Sequence, residues 1–153
     1  MDFKKYLPVT WQVLYVGLKN NWLTTKEVTT LINGNSDKLN CDEEILVSIN
    51  ANDDDKAAVL ETLRKQAGAE ENQGIRLWQL AHLIAIEQSE LSIHQKLREI
   101  ELQWSRFDYP EYWRDFIYYM PNGKTNTEGE VYQGFLTFLN EEKKKLYWEN
   151  NAE

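Results

Sequence analysis

Two histidines and one cysteine are all this 153-residue chain offers to imidazole or thiol chemistry. With Cys41 alone, an intrachain disulfide and a thiolate zinc site are both excluded. Only three prolines and seven glycines are present, so few backbone positions are obliged to turn. Bases are the scarcer charge, 17 against 25 acids, which gives a formal charge of −8. That field repels a phosphate backbone unless a local basic face outweighs it, so nucleic acid is not an expected partner. Long apolar runs are missing too. The strongest, Leu80 to Ile86, contains His82 and is far short of the roughly 20 residues that span a bilayer. The stretch after Lys4-Lys5 is interrupted by Pro8, Thr10 and Gln12, and no small-residue cleavage site follows it. A secretory leader is therefore not expected, no membrane partner is expected, and the cytoplasm is the expected compartment.

What remains is the composition of a folded domain: 42% hydrophobic and 27% charged residues, against the low hydrophobicity of disordered chains. The apolar spacing is helical almost throughout. Trp11, Leu14, Tyr15 and Leu18 step by three and four, which places them on one helix face. Thr24 with Glu27 has the spacing of a capping box and opens a helix running to about Asn33, with Gly34 as its stop. Asn35 to Asn40 reads as a polar loop. Asp42-Glu43-Glu44 suits the positive end of a short helix carrying Ile45, Leu46 and Ile49, and Asp53-Asp54-Asp55 repeats the arrangement before Val59, Leu60 and Leu63. Gly74 is expected to precede the central helix, which carries Ile75, Trp78, Leu83, Ile84 and Ile86. Ser92 with Gln95 forms another box, followed by the one-sided stripe Ile93, Leu97, Ile100, Trp104 and Phe107. Pro110 fits the first turn of a next helix, and Met120 to Gly123 reads as a turn. Thr127 with Glu130 opens the last helix, which buries Val131, Phe135, Phe138 and Leu139 and ends at Lys143-Lys144-Lys145. The expectation is an all-α single compact domain over residues 1–153, with about seven or eight helices and no cofactor.

Several patterns imitate chemistry without completing it. Asn33, Asn35, Asp37, Cys41 and Glu44 have the spacing of a calcium loop, yet the first position lacks an acid and Lys38 stands where glycine is needed. Gly123-Lys124-Thr125 imitates the end of a phosphate loop, but Tyr118 replaces its first glycine and a helix precedes it. His82 and His94 lack the three or four converging ligands that a metal requires. No nucleophile–base pair stands out, so the chain is read as a non-enzyme. Two features fit a protein interface. Residues 37–71 hold ten acids and four bases, six of the eight net negative charges; this is either helix capping with a solvated face or a surface that attracts a basic partner. Between Trp104 and Met120 lie eight of the 19 aromatics, either a corner of the core or, where exposed, contact residues. The candidate partner-binding residues are Asp42, Glu43, Glu44, Asp53, Asp54 and Asp55 for steering, and Tyr109, Tyr112 and Trp113 as anchors.

The string Phe107-Asp108-Tyr109-Pro110-Glu111, then Phe116-Ile117-Tyr118-Tyr119-Met120-Pro121, resembles the signature of a bacterial domain-of-unknown-function family numbered 2247. Trp11, Gly17, Trp22-Leu23-Thr24 and Trp78 resemble its other landmarks. The resemblance brings no catalytic residues. It implies the setting of immunity proteins in polymorphic toxin and contact-dependent growth inhibition systems, in which a cognate toxin's C-terminal domain, often a basic nuclease, is blocked by stoichiometric binding. A helical adaptor without a toxin partner is the alternative, and an enzyme with a scattered site a third reading.

Overall fold

Among the described residues, six of the seven α-helices begin with a side chain that accepts from an otherwise unpaired N–H of the first turn. The caps are Thr10 for α1 (Trp11–Lys19), Thr24 for α2 (Thr25–Gly34), Asp42 for α3 (Glu43–Ala51), Asp55 for α4 (Lys56–Ala67), Ser92 for α6 (Ile93–Arg106) and Thr127 for α7 (Glu128–Lys143). The seventh helix, α5 (Glu71–Gln88), is the longest, with 18 residues. All three capping boxes expected from the sequence form reciprocally, and each cap contributes about 1 kcal/mol. This computed structural model describes residues 3–69, 71–117 and 127–148, and no strand occurs among them. The fold is all-α. No described helix is long and apolar enough to cross a membrane.

The packing divides into two compact units, with the division inside α5: Leu7–Trp78, and Met1–Tyr6 with Gln79–Glu153. In the first, α1 packs on α4, α2 on α3, and α3 on α4. Its core holds Leu14, Val16, Val28, Ile32, Ile49, Val59, Leu63 and Trp78, all almost inaccessible to solvent. Trp78 Nε1 donates to the Val13 carbonyl at 2.9 Å, and its ring lies 5.2 Å from that of Trp22. A Cβ on Gly17 would sit 2.6 Å from both Leu23 and Trp78, and one on Gly74 would sit 2.6 Å from the Gln12 carbonyl oxygen. Gly74 therefore does not precede α5, as the sequence reading has it. It lies inside the helix because α1 approaches there too closely for any side chain.

In the second unit, α6 and the short 3-10 helix Glu111–Phe116 both pack on α7. Its centre is aromatic: Phe116 lies 4.8 Å from Phe138, 5.6 Å from Phe135 and 6.0 Å from Trp113, ring to ring. α6 ends in a Schellman motif. Asp108 N–H donates to the Ser105 carbonyl and Tyr109 N–H to the Trp104 carbonyl, the Tyr109 ring meets Trp104 edge-on at 4.9 Å, and Trp104 Nε1 donates to the Pro110 carbonyl. That reversal needs left-handed backbone at Asp108 and Tyr109 (φ 60° and 57°), which costs non-glycine residues energy. Pro110 then stands just before six residues of 3-10 helix rather than in the first turn of an α-helix. α7 continues past Lys143 as a π-helical turn, Lys144–Trp148. The expected turn at Met120 to Gly123 lies outside the described residues.

Candidate functional site

The six acids proposed for steering bracket α3. Asp42, Glu43 and Glu44 form its amino-terminal end, and Asp53, Asp54 and Asp55 follow its carboxy-terminal end; all six are exposed. Seven helical residues, Ile45 to Ala51, lie between the two triplets, about 10.5 Å of helix axis. The carboxylates are not equivalent. Asp42 accepts from Ile45 N–H at 2.9 Å and Asp55 from Ala58 N–H at 3.2 Å, so both are engaged as helix caps. Glu43, Glu44, Asp53 and Asp54 have no side-chain partner among the described residues and face solvent. Other acids of this stretch are paired: Glu71 with Lys19 at 2.6 Å and Glu61 with Arg64 at 2.6 Å. The hydrogen bond from Arg64 holds the Glu61 carboxyl below its ordinary range.

Of the nine residues of α3, only Ile49 is buried. Val47, between the acid triplets and one turn from the first, is 62% exposed. The sequence held a signal for this: the inward positions are Ile45, Leu46 and Ile49, and Val47 falls off that stripe. α3 is held to α2 by reciprocal amide bonds between Asn33 and Asn50, at 2.9 and 3.0 Å. The preceding loop is not wholly polar in its packing, because Leu39 is buried and its carbonyl accepts from Trp11 Nε1 at 3.0 Å. Cys41 is half-buried, and burial first, then the neighbouring Asp42, pushes its thiol pKa up.

The three aromatic candidates belong to the other unit and do not share one environment. Tyr109 is 56% exposed, with Ser105 Oγ donating toward its hydroxyl at 3.4 Å. Tyr112 is 40% exposed, and its hydroxyl donates to Gln79 Oε1. Trp113 is completely buried, so its indole serves the core and not a partner. The 3-10 turn decides this by pointing Trp113 inward beside Phe107 and Phe116. Leu102, off the inward stripe of α6, is 52% exposed and lies one turn before Ser105.

The imitations of metal chemistry resolve into structural roles. The Asn33 and Asn35 amides donate to the Thr29 and Leu31 carbonyls, each at 2.8 Å. His94 is exposed and paired with Glu128. His82 is half-buried between Phe3, stacked at 3.9 Å, and the edge of Phe107 at 5.2 Å. Among the described residues, no group of three or more His, Cys, Asp or Glu could hold a metal. Gly123-Lys124-Thr125 lies outside the described residues.

The landmarks Gly17, Trp22, Leu23 and Trp78 converge on one packing site, so they report a fold constraint. No curated protein and no solved structure matches the chain. A family profile does, described as "Uncharacterized protein conserved in bacteria (DUF2247)", over residues 1–143. The chain belongs to the DUF2247 family.

Proposed function

We propose that this protein is a bacterial immunity protein that neutralises a cognate toxin domain, a basic nuclease, by stoichiometric binding and without catalysis. The observation that carries the reading is the α3 surface: an exposed valine between two acid triplets, on a helix that buries a single side chain. An apolar centre inside a charged rim is how protein interfaces are commonly organised. The four unengaged carboxylates supply a field that speeds encounter with a basic surface. Tyr109 and Tyr112 are secondary anchors on the other unit. The protein acts in the cytoplasm, where such a toxin would do its damage.

The test is calorimetric titration of the full chain into the C-terminal domain of the exported toxin encoded immediately upstream, together with a growth assay. Nanomolar 1:1 binding with rescue of growth is expected. Neutralising Glu43, Glu44, Asp53 and Asp54 to their amides should slow association about tenfold or more at low salt and leave folding intact. Two folded proteins that neither bind nor rescue would sink the pairing and leave the helical adaptor as the reading.

A further inference from the structure

The outward face of α6 is opposite in kind to that of α3. No acid of α6 is fully exposed, since Glu99 and Glu101 are both half-buried. Arg98, Leu102 and Arg106 stand at i, i+4 and i+8, hence along one side of the helix, with about 6 Å of axis between neighbours. Leu102 is 52% exposed. Both arginines are exposed and form no ion pair among the described residues. α3 inverts this pattern. It contains no base, and Glu43 and Glu44 stand four and three residues before the exposed Val47. Ala51, one turn after Val47, is small and exposed, so an apolar side chain can lie beside the valine.

We propose that these two faces bind each other between copies of this chain, with α6 of one copy docked on α3 of a second. Leu102 lies against Val47 and Ala51. Either helix direction brings one guanidinium, a turn from Leu102, level with Glu43 and Glu44, a turn from Val47. The other guanidinium is carried toward Asp53 and Asp54, and arginine suits such carboxylates because its planar fork can pair with them bidentately. Matched composition chooses the occupant. A free anion or a phosphate backbone would answer the arginines and leave Leu102 uncovered, and a second α6 face would set arginine against arginine. α3 answers all three residues at their spacing. The overall charge of −8 opposes association and keeps the contact weak, but salt screens that repulsion over about 8 Å, while groups in contact are screened less. The contact is heterologous, since each copy offers one face of each kind. It uses the α3 surface proposed for the toxin, so a toxin competes with it, but it does not require the toxin.

The experiment is sedimentation equilibrium of the full chain and of two charge-reversed variants, with melting temperatures to confirm folding. No toxin is present in any arm, so failure here leaves the toxin reading standing. The unmodified chain should self-associate with a Kd of about 0.1–1 mM per contact, at the weak end of specific interfaces. Arg98→Glu with Arg106→Glu should weaken association at least about tenfold, and so should Glu43→Lys with Asp54→Lys. All four positions are exposed and without a side-chain partner among the described residues, so both variants should fold. Mixing the two variants should restore association, because each then meets faces of opposite charge on the other. A chain that stays monomeric at millimolar concentration, folded variants that associate as the unmodified chain does, or a mixture that stays monomeric would each overturn the assignment.

Discussion

The two compact units reach a closed core by different means. In Leu7–Trp78, glycine is required at two close approaches: Gly17 beneath the side chains of Leu23 and Trp78, and Gly74 against the Gln12 carbonyl. In the other unit aromatic rings fill the core, with Phe116 at the centre of Trp113, Phe135 and Phe138. The first arrangement is intolerant of added atoms, the second of removed ones. An alanine scan alone would miss the distinction, because it probes only removal.

The largest effect should come from the residue that serves the first unit as both filler and donor. Trp78→Ala should cost about 3–5 kcal/mol in urea denaturation, and Trp78→Phe less, losing mainly the bond to the Val13 carbonyl. Glycine substitutions come next and take opposite signs. Gly74→Ala should destabilise by about 1–3 kcal/mol, since a backbone atom blocks the new methyl. Gly134→Ala in α7, where a Cβ meets nothing within 4 Å, should stabilise by about 0.5–1 kcal/mol. Equal signs would erase the comparison. Asp108→Gly should raise the melting temperature of the protein modestly, by about 0.5–1 kcal/mol in stability, because glycine takes the left-handed backbone without strain. Smallest is the Lys19–Glu71 pair. The hydrogen bond that Lys19 donates to Glu71 raises the Lys19 pKa above its ordinary 10.5, so the stabilisation is fully present below pH 10.5 and is lost as pH rises through the folded value. The side chains are 46% and 37% exposed, so Lys19→Met should cost only about 0.2–1 kcal/mol at pH 7, and the difference should shrink in denaturation above pH 10.5.

Helix positions were legible in the sequence because capping is local: Thr24 with Glu27, Ser92 with Gln95 and Thr127 with Glu130 each meet within one turn. What was not legible depended on partners distant in the chain. Gly74 reads as a helix start until Gln12, 62 residues earlier, is seen against it. Trp113 reads as an anchor beside Tyr109 and Tyr112 until the 3-10 turn directs it inward, since 3-10 and α periodicities cannot be told apart over six residues. For the candidate site, the acid triplets were visible as charge. Which carboxylates cap helices and which remain unengaged needed coordinates, and so did the exposure of Val47.

The sparse anchoring of α3 has a consequence in time as well as in space. A helix with one buried side chain, an aspartate cap and one amide pair to its neighbour opens at low free-energy cost, well below global unfolding. Hydrogen exchange should therefore find its amide protons exchanging ahead of those in α1 or α7. A partner that closes over Val47 would slow that exchange and supply from outside the order that the chain does not supply to α3 itself.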